Sequence, residues 1–150
     1  MGMNGSKGLV VLLAGAALVL FAACSSDEGT VAITLEEFAV SATPGSVAAG
    51  SVTFDVTNDG PDDVHEFVII KTDLDPTALP TDEDGAVSET GEGMEVIDEI
   101  EDIAVGDTQS VTADLAAGSY ALICNILQEE PDGTLEAHYT EGMRTGFTVT

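Results

Sequence analysis

The sequence predicts an all-β sandwich or barrel of seven to eight strands behind an N-terminal export segment. Three observations carry that prediction. Apolar residues alternate with polar ones in several short runs, turn residues are dense between the runs, and almost no stretch has helical spacing. A length of 150 residues points to one domain.

The first residues stand apart from that domain. Lys7 supplies one positive charge, Leu9 to Phe21 is an unbroken run of apolar and small residues, and Ala22-Ala23-Cys24 follows. This is the order of a secretory signal, with a charged start, an apolar middle and a small-residue cleavage site. The run is shorter than the roughly 20 residues of a spanning helix. Leu20-Phe21-Ala22-Ala23-Cys24 resembles a bacterial lipobox. The expectation is a lipoprotein signal peptide over residues 1–23, a lipid on Cys24, a polar tether over 24–29 and the folded domain over 30–150. Such a protein sits on the outer face of the cell membrane, lipid-anchored, or in the periplasm.

Within the domain, Val31, Ile33 and Leu35 alternate with polar or small residues and read as a strand. Phe38 and Val40 extend it or begin a second one, up to the turn at Pro44-Gly45. Ser51 to Thr57 alternates again, with Val52, Phe54 and Val56 on one face, and ends at Asn58-Asp59-Gly60-Pro61. Val64 to Ile70 is apolar on both faces, as in a strand buried in the middle of a fold. Thr72 to Gly93 is a long irregular stretch, in which Asp75-Pro76 is expected to cap a single helical turn through Leu79. Val96 to Ile103 fits a helical stripe and a bent strand, and is read as strand. Gln109 to Leu115, Tyr120 to Asn125 and Gly146 to Thr150 complete the series.

Charge narrows the partners. All 28 carboxylates follow residue 23, against Lys71 and Arg144 as the only cationic side chains there. Nucleic acid is excluded, because neutralising phosphates takes Lys and Arg. Anionic lipid would repel this surface, so a covalent lipid is the expected membrane attachment. A basic docking patch on a partner protein would be steered toward it, and the same charge also serves solubility in a salty medium.

After Cys24, one cysteine, two histidines and a late Gly-Met pair stand out: Cys124, His65, His138 and Met143. Two imidazoles, a thiolate and a weak thioether form the ligand set of a mononuclear copper site. Cys124 has no second cysteine left for a disulfide once Cys24 is lipidated. Its blander reading is a small buried hydrophobe, and that of His65 is a hydrogen-bonded core residue. Zinc would accept the same Cys and His with Glu66 or Glu141 as fourth ligand, but Gly142-Met143 favours copper. No nucleophile–base order or phosphate-cradling glycine loop is present, so an enzyme is not expected.

These residues lie in segments that resemble the cupredoxin, or blue-copper, family of the plastocyanin and azurin kind. The segments are Asn58-Asp59-Gly60-Pro61-Asp62-Asp63-Val64-His65, Gly118-Ser119-Tyr120-Ala121-Leu122-Ile123-Cys124 and His138-Tyr139-Thr140-Glu141-Gly142-Met143. Val105-Gly106-Asp107-Thr108 resembles the family's usual strand entry. The resemblance implies a Greek-key β-sandwich holding one type 1 copper on His65, Cys124, His138 and Met143. It further implies a brace between Glu66 and Asn125, the residues after the first histidine and after the cysteine. The implied function is a one-electron carrier that exchanges electrons with redox partner proteins through Cys124 or an exposed edge of His138. The alternatives are a copper-handling or sensing module that shuttles no electrons, and a metal-free interaction domain of the same fold. One departure is large: thirteen residues separate Cys124 from His138, where the family has a few. Ile126 to Ala137 reads as a loop with Pro131-Asp132-Gly133 at its tip. It either rises as a hairpin that returns His138 to its usual place or displaces it.

Overall fold

A computed structural model describes residues 1–2 and 29–150. The expected signal peptide beyond residue 2, the expected lipid site at Cys24 and all of the expected tether but Gly29 lie outside the described residues. Two sheets face each other. The first has the order β2 (Ala39–Thr43), β1 (Gly29–Glu36), β4 (Gly50–Gly60), β7 (Thr108–Leu115). The second has the order β3 (Ser46–Val47), β11 (Arg144–Val149), β8 (Gly118–Ile123), β5 (His65–Thr72), β6 (Met94–Ile103). A two-stranded ribbon, β9 (Leu127–Glu129) with β10 (Leu135–Ala137), and a single helical turn, α1 (His138–Glu141), complete the fold. Strands β1 and β4 run parallel, as do β3 and β11, so both sheets are mixed. Eight of the strands have five or more residues, in line with the seven to eight expected.

The alternation read in the sequence is the packing pattern. Val31, Ile33 and Leu35 of β1 and Val52, Phe54 and Val56 of β4 point inward from the first sheet. Phe67 and Ile69 of β5, Tyr120 and Leu122 of β8, and Phe147 and Val149 of β11 meet them from the second. Each such side chain contributes about 1.5–3 kcal/mol by leaving water. Phe54 packs against Phe67 and Phe147 with ring centroids 5.5 and 5.6 Å apart. The other face of the first sheet is polar, with Thr53–Thr112, Thr57–Thr108 and Asp55–Ser110 hydrogen bonds across β4 and β7.

Strand β5 is apolar on both faces because both are covered. Val68 and Ile70, on the side away from the main core, join Ala121, Ile123 and Tyr139 in a second cluster. Leu79 and Val87, from the stretch between β5 and β6, close that cluster. The helical turn expected after Asp75-Pro76 does not form. Instead, Asp75 accepts the Thr77 amide on its side chain (2.9 Å) and the Ala78 amide on its carbonyl (2.9 Å). An aspartate that satisfies local amides this way offers the chain a turn rather than a helix. Val96 to Ile103 is a strand, β6, with two breaks in its register against β5. Phe38 precedes a separate strand, β2, rather than extending β1.

Candidate metal centre

Three buried donors converge at one end of the sandwich. His65 opens β5, Cys124 directly follows β8, and His138 opens α1. All three are 0 % exposed. His65 Nδ1 lies 3.2 Å from His138 Nδ1, and Cys124 Sγ lies 3.5 Å from His138 Nδ1 and 3.9 Å from His65 Nδ1. Bonds of about 2.0 Å to nitrogen and about 2.3 Å to sulfur around one ion set neighbouring donors roughly 3 to 4 Å apart. The spacing therefore fits a single soft or borderline cation.

The backbone fixes each donor. Strands β5 and β8 are hydrogen-bonded neighbours, with Val68 opposite Ile123, which carries His65 and Cys124 to the same end. The Glu66 amide donates to Cys124 Sγ at 3.4 Å. Cys124 donates its own amide to the Met143 carbonyl, and the Met143 amide donates to the His138 carbonyl, both at 3.0 Å. Met143 is fully buried and belongs to the main core, as does Cys124. Gly142 makes the bend between His138 and Met143 possible. Its φ is +139°, and a Cβ there would lie 2.7 Å from the Phe38 carbonyl oxygen.

The thirteen-residue stretch after Cys124 resolves into a hairpin. Strands β9 and β10 pair from Leu127 with Ala137 to Glu129 with Leu135, and Pro131-Asp132-Gly133 forms the tip. The His138 amide returns to the Ile126 carbonyl at 3.0 Å. This closure brings His138 back beside Cys124, one of the two outcomes the sequence left open. It also overturns the exposed imidazole edge expected of His138, because that ring is completely covered. Phe38 meets it edge-on at 5.5 Å, and the His65 ring lies 5.1 Å away.

Glu66 and Asn125 are joined, with the Asn125 amide donating to Glu66 Oε1 at 2.9 Å. The Asn125 side chain is turned elsewhere. Its Oδ1 accepts the Val87 amide (2.6 Å), and its Nδ2 donates to the Val87 carbonyl and to Glu89 (both 3.1 Å).

Burial sets the electrostatics. It pushes the Cys124 thiol up to about 12, against the opposing pull of amide hydrogen bonds. It raises Glu66 to about 7, helped by Glu89, Glu99 and Glu101. Both imidazoles are lowered, chiefly by burial, with nearby carboxylates pulling the other way. The rings are therefore uncharged at neutral pH, the form in which an imidazole can donate to a metal, and the thiol keeps its proton there until a cation competes for the sulfur.

Four neighbours of the site were not singled out in the sequence. Glu37 places Oε1 3.5 Å from His65 Nε2. Asp63 and Glu136 each bring a carboxylate oxygen within 4.8 Å of a ring nitrogen of His138. Phe38 stood only as a strand residue. Nothing distinguishes these carboxylates among 28 before the chain folds.

Strand order and site place the chain among known structures. The chain has the cupredoxin fold. A reduced auracyanin from the photosynthetic bacterium Roseiflexus castenholzii matches 82 % of this chain and 98 % of its own, at 20 % identity and a TM-score of 0.54. Auracyanin B matches 84 % of this chain and 91 % of its own, at 24 % identity and a TM-score of 0.56. Auracyanin A, described as a "blue" copper protein from Chloroflexus aurantiacus, matches 81 % of this chain and 98 % of its own, at 24 % identity and a TM-score of 0.53. Neither a family model nor a curated protein matches by sequence. At these identities the cupredoxin likeness is one of fold.

Proposed function

We propose that this cupredoxin-fold protein binds one type 1 copper ion and carries single electrons. The observation that supports this best is the convergence of His65 Nδ1, His138 Nδ1 and Cys124 Sγ at 3.2–3.9 Å in a site sealed from water. In this reading His65, Cys124 and His138 would hold the ion, with Met143 as a fourth, weaker donor. Copper would supply the one-electron couple. The chain's own residues hold two neutral imidazoles and a thiol in place before any ion arrives, so little has to move when the charge changes. Glu66 and the Glu66 amide tie the His65 segment to Cys124 and Asn125, which resists separation of the ligand-bearing strands.

The same reading puts residues 1–23 in a signal peptide, a lipid on Cys24, a tether over 24–29 and the working domain over 30–150. It places the domain on the outer face of the membrane. The carboxylate-rich surface suits a redox partner with a basic docking patch, which it would steer by long-range attraction.

Adding Cu(II) to the metal-free protein tests the site. An intense visible thiolate-to-copper band is expected in wild type and none in Cys124→Ser. A band that survives Cys124→Ser, or no band in wild type, removes the assignment. The complete burial of His138 favours one second reading, a copper-handling module without electron shuttling. Voltammetry separates the two, since a carrier gives a reversible couple and rapid exchange with a soluble redox partner.

A further inference from the structure

Three buried side-chain atoms lack a hydrogen-bond partner among the described residues: His65 Nε2, His138 Nε2 and Glu37 Oε2. Two of them are the outer nitrogens of the two imidazoles. Both inner nitrogens face Cys124. A ring that ligates through Nδ1 carries its proton on Nε2, and a buried N–H needs an acceptor. Carboxylates stand where those acceptors belong. Glu37 Oε1 is 3.5 Å from His65 Nε2. Its position is set from the other side, because the same oxygen accepts the amides of Asp62 (3.2 Å) and Asp63 (2.7 Å). Asp63 and Glu136 each have a carboxylate oxygen within 4.8 Å of a ring nitrogen of His138; with Nδ1 turned to Cys124, the geometry points to Nε2 as that nitrogen. Asp63 is itself held from the hairpin, by Gln128 Nε2 at 2.8 Å, and through its carbonyl by Asn58 at 2.8 Å.

We propose, resting on the metal-site reading above, that Glu37 is the positioning residue for His65 and the Asp63–Glu136 pair the positioning residues for His138. Each carboxylate accepts an Nε2–H, fixes the ring's tautomer and rotation, and makes it a stronger donor. A metal ligated by two such rings is stabilised in its more positive state. In this arrangement the hairpin does more than cover His138. Through Glu136, and through Gln128 holding Asp63, it delivers acceptors to the outer nitrogen of His138.

The proposal separates cleanly from its parent when the protein is loaded with Zn(II), which is diamagnetic and accepts the same donors. Nitrogen-edited NMR of the zinc form is expected to show two Nε2–H protons, shifted downfield and slow to exchange with solvent. Glu37→Gln keeps an oxygen for the Asp62 and Asp63 amides, and should move only the His65 proton upfield. Asp63→Asn with Glu136→Gln should move only that of His138. In the copper form each variant should raise the reduction potential, because a neutral acceptor withdraws support from the more positive ion. Metal uptake with solvent-exchanging outer protons overturns the proposal and leaves the parent reading standing. So does a loss of thermal stability with both protons and the potential unmoved, the outcome of a purely structural role. Failure to take up either metal overturns both.

Discussion

The two long acidic stretches flanking the site look alike in sequence and behave differently in the fold. Residues 72–93 hold almost no regular structure, yet they are pinned by side chains. Leu79 and Val87 are 5 % and 4 % exposed in the second core cluster, and Tyr139 donates to the Pro76 carbonyl and accepts the Leu79 amide, both at 2.9 Å. Asn125 grips Val87 on both its amide and its carbonyl. The hairpin, by contrast, is regular in its backbone but leaves Leu135 49 % exposed. Ala137 is its one buried apolar side chain, at 5 % exposed, and its other attachments to the rest of the chain are polar or main-chain, through Gln128 and the His138 amide. Regularity is thus no guide to how firmly a segment is held. Apolar burial anchors the irregular stretch, and polar contacts register the regular one over His138.

That contrast can be broken by mutation. Leu79→Ala should cost about 2–5 kcal/mol, the usual loss for an emptied core position, and should show as a large fall in the midpoint of chemical unfolding. A loss below about 1 kcal/mol would mean that the second cluster is not a core. Gly85 is where the two stretches meet. Its φ is +94°, and a Cβ there would lie 2.9 Å from Ala137 Cβ, beside His138. Gly85→Ala should cost about 1–3 kcal/mol from backbone strain and the clash together, and should also broaden or shift the visible copper band. An unchanged spectrum would show the two stretches to be independent.

Proton linkage comes next. Cys124 sits at the root of the hairpin, with burial holding its thiol near 12, so the thiol keeps its proton at neutral pH. Metal uptake must release that proton. The apparent affinity for Cu(II) should therefore rise about tenfold per pH unit between about pH 7 and 9, equal to about 1.4 kcal/mol per unit, as read by competition with a chelator. A flat profile would mean the thiol is already ionised. Smallest of all, Leu135→Ser on the hairpin should change stability by no more than about 0.5 kcal/mol, against the severalfold larger loss expected at Leu79.

Much of this protein was legible in the order of its residues. Alternating apolar positions located the long strands, since burial on one face of a strand recurs every second residue and needs no knowledge of the partner strand. His65, Cys124 and His138 were candidates because they are scarce and chemically distinct, Met143 because it ends a Gly-Met pair after His138, and Glu66 and Asn125 only through the resemblance to the cupredoxin family. Asp75-Pro76 misled, since a residue that caps a helix also closes a turn, and only the packing of Leu79 and Tyr139 decided between them. The covering of His138, the second core over β5 and the carboxylates behind both imidazoles were settled by tertiary structure alone. Glu37 meets His65, and Gln128 meets Asp63, across long separations in sequence. A carboxylate acquires a role only when folding removes water from around it and places an N–H within reach, and no local pattern in an acidic chain marks where that will happen.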